Sequence, residues 1–205
     1  MLNRNKEVFF LKKMLSEIST IKSGQILTRI SAEKTKEEVI GKQKVIIPKA
    51  ISNGALINDQ LSDVEISKQP DIDKFAKKGD IIIKLTTPYD SAIILEEDEN
   101  LLVSSFCGIV RPNEEIVNPK YLLAFLNTNY VKEHLKSKVE GLVRPMLKLS
   151  DLSSLEVPIL SVEKMNHLGK AFLLSCDKKK VLSKMLETEE RIMESTILQS
   201  IKEVF

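Results

Sequence analysis

The sequence predicts an α/β (α+β) domain of many short strands with packed helices, followed by a long C-terminal coiled-coil helix. Three observations lead there. Up to about residue 112, short apolar and β-branched runs are cut at close intervals by Gly, Pro and an Asn-Gly pair. Asn118-Pro119 then sets up a capped helix start. From Ser161 onward there is no Pro and a single Gly, Gly169. These features divide the chain into residues 1–160, the domain, and residues 161–205, the helix.

The elements follow in order. Val8, Leu11, Leu15 and Ile18 share one helical face, so 5–17 reads as a short helix leading into the domain. Ile26–Ile30 and Val45–Ile47 read as strands, with the polar stretch Ser31–Val39 between them as a loop or one exposed helical turn. Ala50–Gly54 is a turn, because Asn-Gly tolerates positive φ. Strands are expected at Ala55–Ile57 and Val64–Ile66, and a turn at Lys77–Asp80. Ile81–Leu85 is apolar throughout, as in a strand buried on both faces. Ser91–Leu95 and Leu101–Ser105 flank the acidic turn Glu96–Asn100, and Cys107–Val110 runs out at Arg111-Pro112. Tyr121, Leu122, Phe125 and Leu126 give the capped helix its apolar face. A second helix over Val131–Val139 closes at Gly141. A loop at Leu142–Leu147, a turn at Ser150–Ser154 and an extended Leu155–Val157 end the domain.

The last segment, if helical throughout, spans roughly 65 Å at 1.5 Å per residue. Leu182, Met185, Leu186, Ile192, Met193, Ile197, Ile201 and Val204 form a stripe at 3-4 spacing, interrupted at Glu189 and Thr196. A domain of this size is about 30 Å across, too small to cover that stripe. The helix therefore calls for a partner helix.

Composition narrows the classes. Hydrophobic residues make up 42% and charged residues 29%, which suits a globular chain and excludes disordered and collagen-like ones. No apolar run reaches the ~20 residues that span a bilayer, and Met1–Lys13 does not read as a signal peptide. The expected location is the cytoplasm, with no membrane partner. Cys107 and Cys176 are far apart and read as free, buried thiols. No Cys or His pair, His134 and His167 included, has metal-ligand spacing, so no metal and no cofactor is expected. Residues 1–49 hold eleven Lys or Arg against five Glu, and residues 50–100 hold five Lys against eleven acids. That is +6 in front and −6 in the middle. Such a split suits a protein with one face on phosphate, or is an ordinary fluctuation of surface charge.

Several stretches carry a family resemblance. Leu15-Ser16-Glu17-Ile18 with Ile21-Lys22-Ser23-Gly24 looks like the opening of a type I restriction–modification target-recognition domain. Lys78-Gly79-Asp80-Ile81-Ile82-Ile83 resembles that family's Gly-Asp strand start. Val103-Ser104-Ser105, Ile109-Val110-Arg111-Pro112 and Asn118-Pro119-Lys120-Tyr121-Leu122 are similar to its next strands and helix. Gly141, Arg144, Leu149, Asp151-Leu152, Leu155 and Val157-Pro158 resemble its closing segment. The turn Thr86–Asp90 departs from the family pattern, as does Ile159–Lys164 before the long helix. The resemblance is to a specificity subunit in half-length form, with one recognition domain and one long helix. It implies a non-catalytic subunit that reads one half of a split double-stranded DNA target, forms a homodimer through the helix and docks methyltransferase subunits.

Reading bases requires donors and acceptors that reach a groove, with cations on phosphate to fix register. Three clusters qualify. The first is Lys84, Thr86, Thr87 and Tyr89 at the exit of the buried strand, which alternatively form a structural turn. The second is Arg144 with Lys148, where Arg144 alternatively pairs with Glu140. The third is Lys42, Lys44, Lys49 and Asn53, alternatively a solvated face. The dimer and partner interface is assigned to Leu182, Met185, Leu186, Ile192, Met193, Ile197 and Ile201. No catalytic residues are assigned, because no nucleophile–base motif and no Gly-rich phosphate loop is present. A coiled-coil interaction or regulatory protein without specific DNA reading is the alternative function. A thiol enzyme built on Cys107 is a more distant one.

Overall fold

The structure is a computed structural model that describes residues 11–35 and 38–202. The elements are β1 (Leu11–Met14), α1 (Leu15–Ile18), β2 (Ser19–Ser23), α2 (Ala32–Thr35), β3 (Gly41–Ile46), β4 (Ile51–Ser52), β5 (Ala55–Leu56) and β6 (Ser62–Ile66). They continue as β7 (Ile81–Lys84), β8 (Ser91–Ile93), β9 (Leu102–Val103), β10 (Cys107–Pro112), α3 (Pro119–Leu126), α4 (Asn129–Lys138), α5 (Leu149–Ser153), β11 (Glu156–Ile159) and α6 (Val162–Lys202). The α/β architecture of short strands, packed helices and a long final helix is thus present.

The central sheet has the order β2-β10-β7-β8, antiparallel throughout. Side chains alternate across a strand. In β7, Ile81 and Ile83 therefore face one layer, with α3, α4 and α5, while Ile82 faces the other. All three are fully buried, which is why the strand carries no polar alternation. The first layer packs Leu15, Ile18, Tyr89, Leu122, Leu126, Leu135 and Leu152 around the sheet. On the opposite layer Ile46, Ile51, Ile94, Val103 and Ile109 close the core. A smaller sheet, β6-β3-β9, adds Ile30, Val45, Ile66 and Leu102.

Local chemistry sets the boundaries. Asn118 Oδ1 accepts from the N–H groups of Lys120 (2.9 Å) and Tyr121 (3.1 Å), so α3 starts as expected. Asn53 (φ 45°) and Gly54 (φ 92°) turn the β4–β5 hairpin. Asp80, 1% exposed, takes a bidentate pair from Arg111 Nε and Nη2, both at 2.7 Å, and ties the start of β7 to the end of β10. The hydrogen bond to Asp80 raises the Arg111 pKa above its ordinary value.

Several expectations give way. Leu11–Met14 is not helical: it is a strand on β11, with Leu11 opposite Ile159. Its helical period was coincidental, since Leu11 and Met14 stay exposed; Val8 lies outside the described residues. Ile26–Ile30 is not a strand but a 3-10 turn over Leu27–Arg29. The neighbouring strand is instead β2, Ser19–Ser23, whose polar residues hide it. Ser150–Ser154 is the end of a short helix, α5, rather than a turn. Cys107 is buried, but Cys176 is only partly so.

Helix α6 joins the domain along α3. Gly169 lies against Lys120 and Tyr121, where an added Cβ would come within 2.8 Å of the Lys120 Cβ and of the Tyr121 backbone nitrogen. Asn118 Nδ2 donates to Asn166 Oδ1 at 2.8 Å, and Tyr121 Oη donates to the Pro158 carbonyl at 2.7 Å. Farther on, Phe172 and Cys176 pack against Gly54 at the hairpin tip. Beyond Cys176, every side chain described is exposed. No helix among the described residues is long and apolar enough to cross a membrane.

Candidate nucleic-acid interface

The two ends of the central sheet differ in charge. Strand β7 begins at Asp80 beside Arg111, Lys77 and Lys78. At that end Lys78 binds Glu96 (2.9 Å), its N–H donates to Glu99, and Glu114 lies against Gly79. Glu97, Asp98 and Glu115 sit in the same two connections. Carboxylates dominate there.

The opposite end, where β7 exits and β10 begins, carries cations. Leu85 continues the ladder, donating from N–H to the Phe106 carbonyl at 3.1 Å. Its own carbonyl accepts from Leu147 N–H at 2.8 Å. That bond brings the Arg144–Lys148 loop beside the Lys84–Asp90 turn, uniting two clusters that are sixty residues apart in sequence. Residues 131–148 hold five Lys or Arg (Lys132, Lys136, Lys138, Arg144, Lys148) against Glu133 and Glu140, a net of +3. The hairpin tip comes to the same end, because Gly54 N–H donates to the Ser91 carbonyl at 3.0 Å.

Each sequence-predicted residue has a definite place. Thr87, Arg144, Lys148, Lys49 and Asn53 are exposed, and Thr86 is half-buried. Among the described residues Arg144 makes no ion pair with Glu140, so its guanidinium is open to solvent. Tyr89 does not line this surface. It is 1% exposed, packs with the sheet–helix core, and adopts φ 57° so that its ring turns inward. Lys84 is also not freely presented, because Asp90 Oδ2 accepts from its ammonium at 3.2 Å and only 13% of its side chain is exposed. Lys42 and Lys44 are exposed on β3, but their cross-strand mates on β6 are Glu65 and Asp63, and Lys42 approaches Asp63 at 3.6 Å. That pairing supports the solvated-face alternative for these two lysines.

Sequence reasoning missed three residues here. Lys132, on α4, donates to Asp90 Oδ1. Phe106 is 55% exposed at the turn before β10, although a Phe heading an apolar run reads as core. Val143 is 99% exposed at the loop tip. The surface thus combines hydroxyls, a guanidinium, ammoniums and two apolar side chains. These are the groups that bond base edges, hold phosphate and touch thymine methyls.

The Cys107 thiol is pushed up to about 12 by burial, which leaves it a thiol rather than a nucleophilic thiolate. Cys176 is raised as well, again chiefly by burial. Among the described residues, no group of three or more His, Cys, Asp or Glu is placed to hold a metal ion.

Fold and surface together define a class: an α/β domain with exposed polar loops at one basic end, joined to a helix that projects beyond it. No family model matches the sequence. The chain is 26% identical over 153 residues to the Type I restriction enzyme HindI specificity subunit of Haemophilus influenzae, covering 71% of this chain and 33% of that protein. It shares the fold of an HsdS subunit from Thermoanaerobacter tengcongensis (TM-score 0.62, 16% identity), over 85% of this chain and 44% of that one. A type I restriction–modification S subunit from M. genitalium gives a TM-score of 0.57 at 17% identity, covering 93% and 45%. A chain from a type I R-M system, solved for its complex assembly and conformational transition, gives 0.64 at 16% identity, covering 88% and 46%. The resemblance read from the motifs is therefore borne out: the chain is similar to a type I specificity subunit in sequence and shares the fold of others. It spans a third of the curated relative and under half of each of these solved chains.

Proposed function

We propose that this chain reads one half of a split double-stranded DNA target and brings methyltransferase subunits to it. The observation that carries this is the meeting of the Lys84–Asp90 turn and the Arg144–Lys148 loop at the basic end of a specificity-subunit fold. Residues 1–160 act as the recognition domain and residues 161–205 as the dimerisation and docking helix. The subunit is non-catalytic and works in the cytoplasm. Methyl transfer, and restriction where the system has it, belongs to its partners.

A homodimer through α6 completes the assembly. Leu182, Met185, Leu186, Ile192, Met193, Ile197 and Ile201 are each 47–63% exposed, an apolar face that the described residues of its own domain do not cover. Water contact along such a stripe is unfavourable, and a second helix relieves it. The helix is also polar along its length. Residues 177–186 hold Lys178, Lys179, Lys180 and Lys184 against Asp177, a net of +3. Residues 187–196 hold Glu187, Glu189, Glu190 and Glu194 against Arg191, a net of −3. An antiparallel second copy registered at the boundary near Leu186 sets each basic half on an acidic half, whereas an in-register parallel copy opposes like charges. Antiparallel pairing sends the two domains to opposite ends, and the two-fold axis repeats the same loops in inverted orientation.

Co-purification with the methyltransferase of the same system, followed by genome-wide mapping of methylated sites, tests the proposal. The expected result is a stable complex and a bipartite target with two related, inverted halves. Two unrelated halves would mean that the chain pairs with a different specificity chain. A complex that shows no sequence preference would favour the coiled-coil regulatory reading.

A further inference from the structure

We infer that Lys84, Lys132 and Asp90 form a phosphate-holding site at the base of the reading turn, with Lys132 as its main anchor. The inference rests on the DNA-reading function proposed above and assigns it a residue outside the sequence-predicted clusters.

The geometry is specific. Asp90 is 7% exposed overall and has one carboxylate oxygen on each lysine: Oδ1 accepts from Lys132 and Oδ2 from Lys84. The side chains of Lys84 and Lys132 are 13% and 21% exposed. Two ammoniums thus share one carboxylate. The trio carries one surplus positive charge with limited access to water, an arrangement that a single anion neutralises. Each ammonium has three donors, and one carboxylate does not exhaust them. Chain placement directs the surplus charge. Asp90 closes the turn that carries Thr86 and Thr87, and the Arg144–Lys148 loop lies against Leu85 in that turn. An anion on the trio therefore sits beside the groups assigned to base reading. A DNA backbone phosphate is the anion that accompanies base edges at that distance, and phosphate contacts are what fix register on a duplex. Asp90 acts as a positioning residue: it holds both lysines against the turn before DNA arrives.

The test uses the full chain and a labelled duplex of mixed sequence, with affinity measured across a potassium chloride series. One phosphate contact contributes about 0.9 to the slope of log affinity against log salt. Lys132→Gln, which keeps a donor for Asp90 but no charge, is expected to flatten the slope by about that amount for each chain on the duplex, about 1.8 for the homodimer. Lys132→Arg should retain it. Lys78→Ala, at the acidic end, should also leave it unchanged. Thermal melting shows whether each variant is folded, and Lys132→Arg carries the comparison if Lys132→Gln is not: loss of the slope in that folded, charged variant would overturn the inference. So would an unchanged slope in folded Lys132→Gln. Inorganic phosphate at matched ionic strength should compete no better than chloride; selective displacement by phosphate would assign the trio to a free anion instead. If the parent chain shows no salt-dependent binding at all, the DNA-reading function itself fails and the site fails with it.

Discussion

Gly169 offers a test in which local propensity and packing predict opposite signs. It is a buried helix-interior glycine, and on an unpacked helix Gly→Ala stabilises by about 1 kcal/mol. Here a Cβ would stand 2.8 Å from the Lys120 Cβ, 2.8 Å from the Tyr121 nitrogen and 2.9 Å from the Lys120 carbonyl carbon. Two of those three atoms are α3 backbone, so no rotamer change relieves the clash. Carbon contacts are optimal near ~3.5–4.0 Å, so the helices must separate by roughly 0.7 Å or more. The Asn118–Asn166 hydrogen bond and the Phe172 and Cys176 contacts with Gly54 lie on either side and resist the shift. Overpacking of this kind costs about 1–3 kcal/mol. Gly169→Ala is therefore expected to be destabilising by up to about 2 kcal/mol net, and Gly169→Val by about 2–3 kcal/mol. For a chain of this length that lowers Tm by roughly 2–4 °C per kcal/mol. Circular dichroism melts of the two variants decide the matter. A rise in Tm for Gly169→Ala would show that α6 does not lie against α3 as described.

The other expectations are briefer. Leu186→Glu should weaken self-association about a hundredfold, because it removes a half-exposed leucine worth ~1–2 kcal/mol from each of two copies; sedimentation across a concentration series reads this, and a chain ending near Pro158 should be monomeric. Thr86→Ala and Arg144→Ala should lose about 1–3 kcal/mol of discrimination between the mapped target and a scrambled duplex, whereas Lys148→Ala should weaken both evenly and flatten the salt dependence. If all three bind like the parent, the reading surface lies elsewhere on the domain. Cys107 should resist alkylation at pH 9 in the folded chain and react once unfolded, since burial holds its thiol near 12 and leaves little thiolate at pH 9; rapid labelling of the native protein would contradict the burial.

The parts legible in the sequence are those fixed by local chemistry. Asn118-Pro119 caps α3, Asn53-Gly54 takes positive φ, and Ile81–Ile83 is apolar because both faces of β7 are covered. The parts that were not legible depend on distant partners. Leu11–Met14 becomes a strand only because Glu156–Ile159 is available to pair with it. Gly24 is required where the chain passes within 2.3 Å of the Ser104 carbonyl, measured from an added Cβ, and no spacing rule announces that. In the candidate interface, Thr86, Thr87 and Arg144 could be read as turn and loop groups. Tyr89 is buried, with positive φ, although an aromatic beside Pro in a polar turn looks exposed. Lys132 carries no local sign: its place at this surface comes from its bond to Asp90, forty-two residues away.

The same contacts join the candidate interface to the helix. Asp90 holds the turn, and its neighbour Ser91 exchanges hydrogen bonds with the Asn127 side chain, N–H to Oδ1 and carbonyl to Nδ2, each at 3.1 Å. Asn127 ends α3, the helix on which Gly169 of α6 is seated. Ser91 also accepts from Gly54, whose other side meets Phe172 and Cys176 on α6. Two short routes thus run from the Lys84–Asp90 turn to one stretch of the long helix, Gly169–Cys176, through backbone and half-buried side chains. A helix gripped at two places seven residues apart has little freedom to swivel against its domain. If two such chains pair along their stripes, the separation of the two reading surfaces is then set by helix length and pairing register. A flexible linker would let such a pair accept targets at many spacings, whereas a junction held at both places would restrict it to one.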